Sequence, residues 1–200
     1  MLIFTLNMKS ALQKHIEKFI SVNEGDFAEI LSFFKPVKAA KKQNLLIEGR
    51  ICTSNYFVEK GCLRLFFVTE KGVEQTIQFA LENWWMADYN SFSTQSPSQY
   101  YIQAVEKSEI LELEFSSQEK MLSRFPQMER YFRLMHQRAH AAAQFRIKNL
   151  YVLSREESYH LFINKYPEFV QRIPQYLLAS FLGFTPEYLS EIRNKKRKIS

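Results

Sequence analysis

The chain has 200 residues, 46% hydrophobic and 24% charged, with a formal net charge of +6. That length and apolar content suit one large domain or two modest ones with real cores. No apolar run approaches the roughly 18 residues of a membrane span, and Met1 to Met8 lacks the charged start and cleavage site of a signal peptide. The expected setting is therefore cytoplasmic, with no membrane partner. Cys52 and Cys62 are the only cysteines, have no CxxC spacing, and are too few for an iron-sulfur cluster. They read as small buried hydrophobes in a reducing compartment, with a redox pair as the minority alternative.

In chain order, Leu12, Ile16, Phe19 and Ile20, then Phe27, Ile30, Leu31 and Phe34, recur at helical spacing, and Pro36 closes that segment. Two short helices are expected. From Val37 to Phe115 the pattern becomes strands: Asn55 to Val58, Leu63 to Thr69, Val73 to Leu81, Tyr100 to Val105 and Glu109 to Phe115, punctuated by Gly49, Gly61 and Lys71-Gly72. This predicts a compact antiparallel β unit with a hairpin over Leu63 to Leu81.

After Ser116 the pattern returns to helix for some thirty residues. Met121, Met128, Met135 and Ala142 recur every seven, with Phe125, Phe132 and Ala139 as a second line. Such a stripe can pack on its own domain. The narrow seam and the small residues from Ala139 to Ala143 favour a second copy instead, in a parallel homodimer. Ser154 then serves as N-cap of a final helical unit, with Glu156 and Glu157 in its first turn.

The densest pattern lies in Gln175 to Asn194, where the slots of a helix-turn-helix are filled position by position. Ala179 is small where a second helix would approach. Gly183 falls at the turn, where a left-handed backbone is needed. Leu178, Leu182, Leu189 and Ile192 supply the inward face. Thr185 is a good N-cap, Pro186 suits the first helical position, and Glu187 meets the positive end of the helix dipole. Thr185, Glu187, Tyr188, Ser190, Glu191, Arg193, Asn194, Lys195 and Lys196 are the candidate contacts to double-stranded DNA. The last eleven residues hold Arg193, Lys195, Lys196, Arg197 and Lys198 against Glu191 alone, so most of the net charge sits at this end. A carboxylate on a reading face can accept a hydrogen bond from the cytosine amino group. The bland alternative is a surface hairpin with a solvated basic tail.

Helices, a β unit, a long helix and a C-terminal helix-turn-helix, in that order, resemble the catabolite activator/fumarate-nitrate regulator (CRP/FNR) family of transcription factors. The segment from Gly49 through Tyr56-Phe57-Val58-Glu59-Lys60-Gly61-Cys62-Leu63-Arg64-Leu65 resembles that family's glycine-bounded strand pair, and Thr76 to Asp88 looks like the Bacteroidetes-type version. The resemblance implies an α+β fold: a cyclic-nucleotide-binding-like β-roll (a double-stranded β-helix, or jelly roll) with flanking helices over 1–116, a long dimerisation helix over 117–151, and a helix-turn-helix domain, winged-helix-like with a short or absent wing, over 152–200. It implies a dimeric, sequence-specific transcriptional regulator, with RNA polymerase as a further candidate partner. The competing reading is a sensing or interaction module whose helical tail binds protein.

Two departures from the family matter. Its phosphate cassette places Gly-Glu after a roll strand and an Arg, followed by Ser or Thr, about ten residues later; here those positions hold Ala87-Asp88 and Ser98-Gln99-Tyr100-Tyr101. No basic side chain occurs between Lys71 and Lys107. A buried cyclic phosphate without a cation loses the charge-assisted hydrogen bonds that offset its desolvation, so classical cyclic AMP binding is not expected and no cofactor is assigned. Trp85, Asp88, Tyr89, Phe92, Tyr100 and Tyr101, with Trp84 nearby, suggest an aromatic-walled pocket for an unknown neutral effector. Ordinary core and rim aromatics are the equal alternative. The second departure is the short or absent wing, whose phosphate contacts would fall to Lys195 through Lys198.

No enzyme is expected. His15, His136, His140 and His160 all lie outside the β segment, where a roll-bound catalytic metal would need them. His136 and His140 share a helix face without a carboxylate at ligand spacing. No nucleophile elbow or phosphate loop occurs either.

Overall fold

The computed structural model describes residues 10–197, with side chains described as far as Asn194. Helix α1 (Ala11–Ile16) is capped by the Ser10 hydroxyl on the Gln13 amide, and α2 (Glu24–Ser32) by the Asn23 side chain on the Asp26 amide. The strands are β1 (Lys35–Ala39), β2 (Asn44–Leu46), β3 (Ser54–Lys60), β4 (Leu63–Val68), β5 (Glu74–Ala80) and β6 (Trp85–Met86). A short helix, α3 (Tyr89–Thr94), precedes β7 (Tyr101–Ala104) and β8 (Ser108–Glu114).

The strands form two antiparallel four-stranded sheets, ordered β1-β8-β3-β6 and β2-β7-β4-β5. The expected hairpin is β4 on β5, from Leu63↔Ala80 to Val68↔Glu74 with one register shift. Between β3 and β4 the chain turns at Gly61, whose φ of +104° suits glycine and whose missing Cβ would otherwise strike Ser108.

Alternation along the strands sorts side chains into separate cores. Tyr56, Val58, Leu63, Leu65, Ile102 and Ile110 point into the roll and pack with Met86 and Phe92. On the other face of the first sheet, Phe57, Trp85, Leu111 and Leu113 meet the helices. A third cluster takes Cys62, Phe79 and Val105 from the roll and packs them under the C-terminal helices.

The expected continuous helix after Ser116 is instead two, α4 (Phe115–Arg124) and α5 (Gln127–Val152). Pro126 explains the break. It has no amide hydrogen and disfavours helical backbone at Phe125, which sits at φ −124°, ψ 76°. The chain then folds into α6 (Arg155–Lys165), α7 (Pro167–Arg172), α8 (Gln175–Leu182) and α9 (Pro186–Arg197). Ser154 and Glu157 cap α6 reciprocally, each side chain taking the other's backbone amide.

Candidate nucleic-acid interface and sensor roll

Helix α8 ends at Gly183 in the left-handed region, φ +74°, and α9 starts at Pro186. The Thr185 hydroxyl accepts from the Tyr188 amide at 3.2 Å, which caps α9. Ala179, Leu178, Leu189 and Ile192 are buried between the two helices, and Leu182 is half-buried. Residues advance by about 100° along a helix, so burying Leu189 and Ile192 turns Glu187, Ser190, Glu191 and Asn194 to the opposite, exposed side. Arg193 lies exposed on one flank. Tyr188, on the other, packs edge-on to Phe184 at 5.5 Å with the Arg155 guanidinium over its ring. Lys195 and Lys196 fall on the last turn of α9, but their side chains lie outside the described residues, as does all of Lys198.

The proposed dimer seam is divided. Met121, Phe125, Met128, Phe132 and Met135 are buried within the single chain, against Phe57, Trp85, Leu111, Leu113 and the N-terminal helices. This corrects a seam running from Met121 to Ala142: its first five residues complete the chain's own core. Ala139 and Ala142 are exposed, and beyond them the surface of α5 carries Phe145, Ile147, Leu150, Tyr151 and Val152, all large and exposed.

Inside the helix-side core, the Tyr131 hydroxyl accepts from the Trp85 indole nitrogen at 2.8 Å and lies 2.8 Å from Nδ1 of His15. Either group can donate in the second contact, since the hydroxyl oxygen keeps a further lone pair and the His15 nitrogen donates or accepts according to its tautomer. Burial, with Lys18 and Arg138 adding repulsion, lowers the His15 pKa to about 4. His136 packs edge-on to Tyr89 at 4.8 Å, and burial lowers its pKa too.

The six residues of the expected aromatic pocket divide: Tyr89, Phe92 and Tyr100 pack into the roll core, with Asp88 joined to Tyr100 through Ser98, whereas Trp85 and Tyr101 lie elsewhere. Trp85 faces the helices, with Phe57 and Phe132 each 5.3 Å away. Phe92 lies in the roll against Phe115, Tyr101 stacks on Phe66 at 5.0 Å, and Tyr100 meets Phe67. Asp88 is the N-cap of α3, accepting from the Asn90 and Ser91 amides, and its second oxygen accepts from the Ser98 hydroxyl at 2.7 Å. Trp85 leaves the set because strand alternation turns it to the helix side while its neighbour Met86 turns into the roll. Cys52 lies inside the roll and Cys62 beneath the C-terminal helices; both are free, and burial raises both thiol pKa values. Such thiols are poor nucleophiles at neutral pH.

Among the described residues no group of three His, Cys, Asp or Glu side chains is placed to hold a metal ion, and no helix is long and apolar enough to cross a membrane.

The two-sheet roll, with a short helix between β6 and β7, fits the comparison with known families. Residues 36–125 match the cyclic nucleotide-binding domain. The structure of FixK2 from Bradyrhizobium japonicum aligns with this chain at a TM-score of 0.71 and 16% identity, over 82% of this chain and 85% of that one. The c-di-GMP-responsive global regulator CLP of Xanthomonas campestris aligns at 0.72 and 11% identity, over 88% and 92%. The Catabolite Activator Protein of Thermus thermophilus aligns at 0.56 and 18% identity, over 89% and 85%. At these identities the likeness shows a shared fold, one that has structural neighbours in the CRP/FNR transcription factor family. No curated protein sequence matches the chain.

Proposed function

We propose that this chain is a sequence-specific DNA-binding transcriptional regulator that acts as a homodimer. The observation that carries the reading is the exposed crest of Glu187, Ser190, Glu191 and Asn194 on α9, held by a capped turn and joined through α5 to a cyclic nucleotide-binding-type roll. Base edges are read from the crest and phosphates are met from the flank, by Arg193 and the basic residues that follow it. In this reading residues 1–116 form the sensor unit, 117–151 the connection and 152–200 the reader.

The dimer face is the second half of α5. Ala139 and Ala143 let backbones approach closely, and Ile147 and Leu150 continue the same stripe at spacings of four and three. Exposed large hydrophobics are concentrated here, which favours a second copy as the occupant.

The roll does not take a cyclic nucleotide in the classical way. Ser98, in place of an arginine, donates to Asp88, and that carboxylate already caps α3, so an incoming phosphate would meet a carboxylate where the family's cassette supplies an arginine.

The test is selection of bound duplexes from a random pool, followed by affinity measurements across salt. Neutralising several phosphates predicts an affinity that falls steeply with salt, and Arg193→Ala should weaken binding across all sequences. Failure to enrich any sequence, or a flat salt response, would remove the DNA reading and favour a protein partner.

A further inference from the structure

The contacts between the C-terminal helices and the roll are polar and specific as well as apolar. Arg172, at the end of α7, makes a two-pronged pair with Glu82, its Nη1 and Nη2 lying 3.0 and 2.9 Å from the two carboxylate oxygens. Its Nη2 also reaches Glu106 and the Gly61 carbonyl. Glu82 in turn accepts from the Gly61 amide at 2.8 Å. One guanidinium thus gathers three separate turns at one end of the roll: β3 to β4, β5 to β6, and β7 to β8. Burial pushes the Glu82 carboxyl upward, but its bonds from Arg172 and Gly61 outweigh this and hold it below its ordinary value.

A second contact lies on β5, an edge strand. The Ser180 hydroxyl of α8 accepts from the Thr76 amide and donates to the Glu74 carbonyl, both at 2.8 Å, so one side chain takes the place of a neighbouring strand. Gln75 donates to the Ser180 carbonyl. In a third contact, Arg146 of α5 donates to the Ile77 carbonyl of β5 and the Phe181 carbonyl of α8, with its guanidinium over the Phe181 ring. Phe79 fills the space between, 5.0 Å from Phe169 and 5.2 Å from Phe181.

We infer that Arg172, Ser180 and Arg146 are positioning residues that fix the orientation of α9 on the roll and so set the separation of the two reading helices in the dimer. This rests on the DNA reading above and adds what determines half-site spacing. The contacts are directional and arise from α5, α7 and α8, so they hold the reader against rotation in a way that an apolar patch alone would not.

The experiment is duplex selection with two half-sites separated by spacers of varied length, using the wild type, Arg172→Gln and Ser180→Ala. The wild type should enrich one spacing, and each variant should accept neighbouring spacings with the same half-site sequence. Unchanged spacing preference in both single variants would overturn the inference while leaving DNA binding intact. Should no duplex be enriched by the wild type, amide exchange on the free protein decides the clamp. Arg172→Gln should then speed exchange of the Thr76 amide by at least about tenfold, although Arg172 does not touch it, while the amides around Tyr131 keep their protection. Wild-type protection at Thr76 in that variant would overturn the clamp.

Discussion

The two halves of α5 share one sequence rhythm and have opposite surroundings. From Gln127 to Met135 the apolar stripe is sealed inside the chain, with Met128 and Tyr131 fully buried. From Ala139 onward the exposed residues include Ile147 at 55% and Leu150 at 63%. The difference lies in what faces the helix. The first half covers Phe57, Trp85, Leu111 and Leu113 of a sheet, whereas the second half lies beyond those strand residues. A heptad stripe therefore announces that a helix will be covered, without saying by what.

The largest expected effect separates the halves by charge. Met128→Glu should lose the folded state, because an unpaired carboxylate in a closed aromatic core costs several kcal/mol, an appreciable part of a domain's stability. Leu150→Glu should stay folded and sediment as a monomer. Circular dichroism and analytical ultracentrifugation of the two variants would decide, and a folded Met128→Glu or a dimeric Leu150→Glu would break the contrast.

Tyr131→Phe is milder and sharpens the account of the first half. It leaves the Trp85 indole N–H and the His15 nitrogen without their common partner, so a loss of about 1–3 kcal/mol in urea unfolding is expected. Dimerisation should be unaffected once the variant is folded.

The smallest effect is pH dependence. His15 has an ordinary value of 6.5 and a folded value of about 4, so between these limits the unfolded chain binds a proton that the folded chain does not. Stability should therefore fall as pH drops from about 6.5 to about 4, by roughly 1–2 kcal/mol after allowing for solvent screening of the half-buried ring. His15→Gln should flatten that slope. An unchanged slope would place the acid sensitivity elsewhere.

Much of the architecture was legible in the sequence because alternation and turn residues are local signals. The main strands and the β4–β5 hairpin follow from them, as do the start of α9 at Pro186 and the turn at Gly183. Helix α3 was not legible, since Tyr-Asn-Ser-Phe-Ser-Thr has no repeating apolar face and depends on its Asp88 cap. Pro126 was the available sign that the long helix would break. For the candidate site, the sequence marked the crest of α9 but not its supports. Arg146, Arg172 and Ser180 resemble ordinary surface residues until the fold brings them to strand and turn atoms far away in the chain.

The Ser180 contact has a practical bearing on work with isolated fragments. A roll cut away before α6 would present the Thr76 amide and Glu74 carbonyl as an open strand margin, beside a newly bared Phe79. That combination templates intermolecular β pairing, so such a truncation product should self-associate during purification. The C-terminal helices thus also act as a built-in guard on solubility.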